Sequence, residues 1–532
     1  MNCERATRIK SIKSHITNSF AFWGVLKKGV DSSLRRSLQF LSFLLLPLVA
    51  YCSFDVPAVE FDRDAWLRDY ALMKQTLEQS YSNLAWFGSI ESGLDLPALD
   101  QKTLASLEAA TSDQDAQRAL LTFVESFHDG HFSLLRPRAP QHPAAEKPAE
   151  PVFSRKDPVG GCGALHYGAV PRAAFSASFD SLPGFELIAE GNGVPFRAGV
   201  LTEGNPGISV GIVRIPEFES NYRAFCLEAW GQNDMWGQDG KLLRGALDRT
   251  VDQRWYDALA SLLGKFKARS VAAVLIDIGD NSGGGDSGDI AARLFTAIQL
   301  HSASLWMSQN RAASETYFDE QIAELRRALK FDAQNKLVAE SLSWFTAQKE
   351  KLADPCPMDW VWHERRTWDA ETCRRIVEAG SAGGPLAYLS PNSVADVRIA
   401  QRLHWPASET SLWSSWTGPL YVLTDNKTYS SAEMFAAVLQ NNGAAKMVGT
   451  QTGGDGCGFM NHTEPLVLPH SGLRFRIPNC VRIRADGTDE VAGIKPDLPI
   501  PMIVGEDSKA RAGRIFSAVR SDLTIRLRIS SK

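Results

Sequence analysis

Twice in this 532-residue chain an apolar run breaks into a tight polar or glycine turn and a helix opens directly after it. No other feature restricts the fold as much. Residues 271–278 (Val-Ala-Ala-Val-Leu-Ile-Asp-Ile) are apolar and β-branched, as in a strand covered on both faces. The run ends in Gly279-Asp280-Asn281-Ser282-Gly283-Gly284-Gly285, and a helix opens over residues 290–295. The second run, residues 420–424, passes through a polar turn into a helix over 431–439, with a further strand at 445–448. A strand over 208–215 and a long helix over 253–269 precede both units. Strands alternating with helices in this way predict an α/β layer with a mainly parallel sheet.

Around that layer the character changes. Residues 62–127 carry apolar side chains at helical spacing (Leu67, Tyr70, Met73, Leu77, Tyr81, then Leu104, Leu107, Leu120, Phe123), with a helix start at Thr111-Ser112-Asp113 and an end near His128-Asp129-Gly130. Residues 136–160 are rich in proline and charge, and short strands divided by glycine and proline are expected from 161 to 207. Between the two strand–turn–helix units lies an insertion with two helical patterns and a Trp-rich piece (Trp360, Trp362, Trp368). The expected division is therefore a leader at 1–53, an N-terminal helical region at 55–135, and a linker with a small β region at 136–207. The core is expected at 208–300 and 411–505, the helical insertion at 301–410, and a C-terminal tail at 506–532.

Charge and cysteine usage narrow the setting. Hydrophobic residues at 44% and charged residues at 22% exclude a disordered chain, and 57 basic against 61 acidic residues leave no nucleic-acid-binding surface to expect. The leader conceals an asymmetry. Eight basic residues precede an uncharged stretch from Ser37 to Ser53, whose apolar heart has the length of an export signal and is too short to span a bilayer. Removing it near Cys52 takes away eight basic and two acidic residues and leaves 49 against 59, an acidic exported chain of net charge −10 with no membrane span. A lipid anchor on Cys52 is disfavoured by Tyr51. Six cysteines remain, an even number that suits disulfides outside the cytosol. Cys356 with Cys373 and Cys457 with Cys480 are the local pairs, leaving Cys162 for Cys226, among 15 arithmetically allowed pairings.

The turns carry the candidate chemistry. The glycine run lacks the spacing and lysine of a phosphate loop, which leaves a plain tight turn or backbone N–H groups presented to a substrate oxyanion. Thr428-Tyr429-Ser430-Ser431-Ala432-Glu433 puts serines at a sharp strand-to-helix transition, where one caps and one is free to react.

Four blocks in order then resemble the tail-specific (carboxyl-terminal processing) serine peptidases. They are Gly211 to Phe218, Asp277 to Gly285, Ser430 to Ala436 with Asn442 to Gly449, and Glu490 to Asp497. The resemblance implies a crotonase-like, mainly parallel sheet with flanking helices. It also implies a polypeptide substrate, no cofactor, Ser430 as nucleophile, and an oxyanion hole from Ser431 and the Gly283 and Gly284 turn. The family's lysine base is missing, since Asp455 stands in its place. Phe127-His128-Asp129-Gly130-His131 is similar to a segment of the tricorn-like branch, implying His131 as base and Glu490 as the group that orients or polarises the site. His462 is the competing base. His128 and His131 lack a third metal ligand, so no metal site is expected. A PDZ domain is expected to be absent or reduced to a few strands. The insertion reads as a lid or as peripheral decoration. A non-catalytic ligand- or peptide-binding protein on this fold, and an esterase-type acyl hydrolase, remain the alternatives to a peptidase.

Overall fold

The computed structural model describes residues 61–136, 152–168, 173–192, 195–204, 207–285, 287–353, 356–368, 375–390, 393–460 and 463–530. The leader, Cys52, Cys373 and His462 lie outside these residues.

The N-terminal region is helical as the spacing predicts, with α1 (Arg63–Ser80), α2 (Leu96–Ala109) and α3 (Asp113–Glu125). Each begins at a side-chain cap: Asp62, Asp95 and Ser112 accept the N–H groups of Ala65, Ala98 and Asp115, satisfying donors that the first helical turn leaves unpaired. After α3 the chain turns through His128, at φ 52°, into the short strand β1 (Ser133–Leu134).

Next come β2 (Phe185–Glu190), β3 (Arg197–Gly204) and β4 (Gly207–Arg214), then the long helix α4 (Arg244–Ala268), β5 (Ala273–Asp277) and the short helix α5 (Ser287–Ala292). The insertion contributes β6 (Ser304–Ser308), the two expected helices α6 (Arg311–Leu329) and α7 (Lys336–Glu350), and β7 (Ile376–Ser381). The second unit is β8 (Leu420–Thr424), α8 (Ser431–Asn441) and β9 (Lys446–Gly449). Four short strands, β10 (Leu466–Val467), β11 (Arg474–Arg476), β12 (Cys480–Ile483) and β13 (Leu498–Pro499), precede the last helix, α9 (Ser508–Ser530).

The central sheet has the order β13-β9-β8-β5-β4-β3-β2. Pairings from β13 to β4 are parallel, and β4-β3 and β3-β2 are antiparallel. The expected mainly parallel α/β layer is therefore present. It also takes in residues 185–204, which sequence alone assigned to a separate small β region. Strand alternation sends Val213, Val274, Ile276 and Val422 to one face, against Leu259, Leu263, Phe435 and Val438. Val210, Ile212, Leu275 and Leu423 face the other side, where Ile515, Phe516 and Val519 of α9 cover them. Residues 506–532, expected as a tail, thus contain a helix that completes the core.

The insertion is not only helical. Its β6 and β7 form an antiparallel sheet with β12 in the order β12-β6-β7. Its Trp-rich piece packs Trp360 and Trp362 among Trp66, Tyr70, Phe123 and Phe127. A third sheet, β1-β11-β10, ties the segment after α3 to the C-terminal half of the chain. Disulfides join Cys162 to Cys226 and Cys457 to Cys480, as spacing suggested. Cys356 is also disulfide-bonded. No helix among the described residues is long and apolar enough to cross a membrane.

Candidate active site

Ser430 is the N-cap of α8 and adopts φ 53°, ψ −117°, a backbone conformation L-residues avoid unless their surroundings impose it. The surroundings here do so. Tyr429 N–H donates to the Asn281 carbonyl (2.9 Å), and Asn281, wholly buried, spans the glycine turn and β4: its Oδ1 accepts Gly283 N–H (2.8 Å) and its Nδ2 donates to the Ile215 carbonyl (2.9 Å). Gly283, at φ 97°, presses on the elbow so closely that a Cβ there would lie 2.6 Å from Ser430 Cβ. The two serines divide their roles. Ser431 Oγ accepts Gly288 N–H at 3.1 Å, while half-buried Ser430 lines a cavity of about 310 Å³ shared with His131, Gly284, Gly458, Phe459, Arg476 and Arg482.

The glycine turn requires a correction. Gly283 N–H is consumed by Asn281 and Gly285 N–H by the Phe218 carbonyl (3.1 Å). Gly284 N–H has no acceptor among the described residues, and Gly284 and Ser431 both line the cavity. The backbone N–H groups of Gly284 and Ser431 thus reach the cavity without an acceptor among the described residues. Gly283 shapes the turn instead.

Buried Glu433 organises the opposite wall. Its Oε1 accepts Thr452 Oγ1–H and Gly454 N–H (2.8 Å), and its Oε2 accepts the N–H groups of Asp455 (2.8 Å), Gly456 (3.1 Å) and Ser430 (3.1 Å). Burial pushes its carboxyl up to about 7, against the pull of these hydrogen bonds. One carboxylate thus joins the serine elbow to the turn carrying Asp455.

That turn holds the histidine. His131 Nδ1 lies 3.1 Å from the Asp455 carbonyl oxygen, which can only accept, so Nδ1 carries the proton and Nε2 is left as the basic nitrogen. The Asp455 carboxylate accepts Gly130 N–H, with its other oxygen 3.6 Å from Nδ1. Asp129 Oδ1 takes the backbone N–H of His131 (2.9 Å), and Oδ2 takes Tyr81 Oη–H (2.7 Å) and Asn83 Nδ2–H (3.3 Å). Burial raises Asp129 to about 6. Gly458 passes so near the imidazole that a Cβ would meet Cδ2 at 2.4 Å. Ser430 and His131 face one cavity without a hydrogen bond between them, a common looseness before substrate binds.

Glu490, wholly buried, pairs with Arg482 rather than with His131. The Arg482 guanidinium donates to the carbonyls of Gly456 (2.8 Å) and Ser430 (3.3 Å), so Glu490 reaches the elbow through an arginine. His128 is exposed and lines a separate cavity of about 1040 Å³, apart from His131. Asp129, His131 and Asp455 bring ligand atoms within 4.8 Å of one another, a spacing that fits a cation. Their inner atoms are already committed to Tyr81, Asn83, Gly130 and the Asp455 carbonyl.

Sequence reasoning noticed Asp455 only as the residue replacing a lysine and gave no role to Glu433, Asp129, Gly458 or Arg482. Glu433 had a signal, three residues after Ser430 in a motif already identified. Gly458 and Arg482 had none, because their contacts join distant segments.

The profile of peptidase family S41 matches residues 209–500. The chain belongs to peptidase family S41 and is by class a serine peptidase, acting on peptides. Solved structures similar to it include mature CPAF complexed with lactacystin, at 13% identity over 88% of this chain and 99% of that one, with a TM-score of 0.48. A lipoprotein from Streptococcus agalactiae is similar at 11% identity over 87% and 96%, TM-score 0.31. The photosystem II D1 C-terminal processing protease is similar at 12% identity over 85% and 99%, TM-score 0.28. No curated protein matches the chain.

Proposed function

We propose that this chain is an exported serine peptidase in which Ser430 attacks the scissile carbonyl and His131 serves as general base in place of the family's lysine. The observation that carries the reading is the 3.1 Å approach of His131 Nδ1 to the Asp455 carbonyl oxygen, from which its tautomer follows. With Nδ1–H held by the Asp455 carbonyl, Nε2 is free to accept the Ser430 Oγ proton in the cavity both residues line. As the Oγ–C bond forms, the carbonyl oxygen becomes an oxyanion held by the N–H groups of Gly284 and Ser431, with the positive end of the α8 dipole behind them. The imidazolium then protonates the departing amine, and the acyl-enzyme is hydrolysed by water that gives its proton to the same Nε2. Asp455 acts as a positioning residue. Arg482, oriented by Glu490, holds the carbonyls of Ser430 and Gly456. Export is supported by the basic leader with its short apolar run and by the disulfides.

The test is covalent labelling by a fluorophosphonate. Ser430→Ala is expected to abolish labelling and casein cleavage, and persistent labelling sinks the assignment. His131→Ala is expected to remove both activities while His462→Ala retains them. The reverse result transfers the base to His462.

A further inference from the structure

Two arginines line the cavity, and they differ in one respect. Arg482 is spent on Glu490 and two carbonyls. Arg476 is exposed and has no acidic or carbonyl partner among the described residues; its guanidinium carbon lies 3.7 Å from the Phe459 ring centroid. Phe459 in turn meets the His131 ring edge-on, with centroids 5.9 Å apart and planes at 85°. The backbone enforces the same placement, since Ser133, two residues after His131, pairs directly with Arg476 between β1 and β11. A cation with no acidic partner among the described residues therefore sits one aromatic ring away from the proposed base. A guanidinium stacked on a ring keeps its edge N–H groups free in a fork that matches a carboxylate.

We propose that Arg476 determines specificity by binding an acidic side chain of the substrate close to the scissile bond, so that the preferred substrates are peptides with Asp or Glu there. This rests on Ser430 and His131 being the reacting pair. Partial burial against Phe459 lowers the affinity of Arg476 for its proton, a sign of incomplete hydration that a substrate anion offsets. The rest of the cavity offers that anion no other unpaired cation among the described residues.

The experiment uses the full chain and three peptides of one core sequence. One has an internal Glu and an amidated C-terminus, one has Gln there and a free C-terminal acid, and one has Gln and an amide. Cleavage by the wild type and by Arg476→Gln is compared. The same fluorescently tagged peptides are titrated against Ser430→Ala and the double variant Ser430→Ala/Arg476→Gln. Loss of a charge-assisted pair is expected to lower kcat/KM about ten- to a hundred-fold on the Glu peptide, with little change on the neutral one. Arg476→Lys is expected to recover only part, because an ammonium lacks the fork. Equal losses on all three peptides, no loss on the Glu peptide, or a loss confined to the acid-terminated peptide overturns the proposal. If the wild type cleaves nothing and Ser430 resists labelling, the peptidase reading fails. The binding arm still decides, since Glu-peptide affinity unchanged by the Arg476→Gln substitution overturns the inference and its loss supports it.

Discussion

Ser430 sits at φ 53° because Asn281, Gly283 and Glu433 hold the turn on three sides. A non-glycine residue so placed stores on the order of 1–3 kcal/mol. Ser430→Gly should therefore raise the urea midpoint, by roughly 1 kcal/mol of stability. Ser430→Ala, which keeps a Cβ, should leave it nearly unchanged, although both variants are expected to be inactive. Equal midpoints for the two would mean the elbow is unstrained. Gly458 offers a second test. A methyl group there collides with His131 at 2.4 Å, so Gly458→Ala should cut kcat by about 10²-fold, the scale of a misplaced catalytic group. Its effect on stability should be far smaller, and a loss confined to KM would contradict that view.

At the scale of elements, the N-terminus of α8 and the turn after β9 are coupled by one buried carboxylate. Glu433 titrates near 7 in the folded chain, well above about 4.3 for a free glutamate. Between those two values the folded chain keeps a proton that the unfolded chain has lost. Stability from this group is thus fully present below about 4 and drains away as pH rises through about 7, by an amount on the order of 1–3 kcal/mol. Buried Asp129, raised to about 6, acts in the same direction. Activity has the opposite sign, because only the ionised Glu433 accepts all five donors that order the serine and histidine turns. Urea titrations at pH 5 and pH 8 should show the wild type weaker at pH 8. Glu433→Gln should shrink that difference to the share left by Asp129 while costing about 1–3 kcal/mol at both pH values, since its amide points N–H groups at backbone donors. A pH dependence that the substitution leaves undiminished would assign the effect elsewhere.

Across the whole molecule the proposed reacting groups, His131 and Ser430, come from segments some 300 residues apart in sequence. His131 leaves the N-terminal helical cluster, into which the insertion's Trp360 and Trp362 are packed, while none of the described residues lining the Ser430 cavity belongs to the insertion. The insertion thus braces the region that delivers the base without walling the cavity. The two described disulfides should separate stability from catalysis. Cys162–Cys226 closes 64 residues and Cys457–Cys480 closes 23, so loop entropy predicts losses of about 4 and about 3 kcal/mol when each is replaced by a serine pair. Only the second touches the site, where Cys457 lines the cavity and Cys480 begins the strand carrying Arg482. Replacing Cys162 and Cys226 should lower the melting temperature and leave kcat of the folded fraction intact. Replacing Cys457 and Cys480 should lower both, and an unchanged kcat there would show that the bridge does not order the turn.

Local pattern carried much of this into view before any coordinates. A strand buried on both faces must be apolar along its whole length, so β5 and β8 stood out, and a turn beside a reacting carbonyl needs glycine, so residues 283–285 did too. Caps at Asp62, Asp95 and Ser112 and the serine at the head of α8 are likewise written within a few residues of where they act. Other features depend on segments that meet only when the chain folds. Residues 185–204 join the central sheet because β4 offers them an edge. Residues 508–530 are a core helix because Ile212, Leu275 and Leu423 need cover. Asp455, which in sequence looked like the loss of a base, holds His131, the proposed replacement, through a carbonyl and a carboxylate contributed from 324 residues away. Which backbone N–H remains free in the glycine turn was likewise beyond periodicity, since it follows from Asn281 and Phe218 having taken the neighbours on either side. Short-range chemistry determined the elements and the identity of the proposed nucleophile, Ser430. The partners of that serine were decided by tertiary structure, because hydrogen bonds across distant segments leave no spacing for a sequence to display.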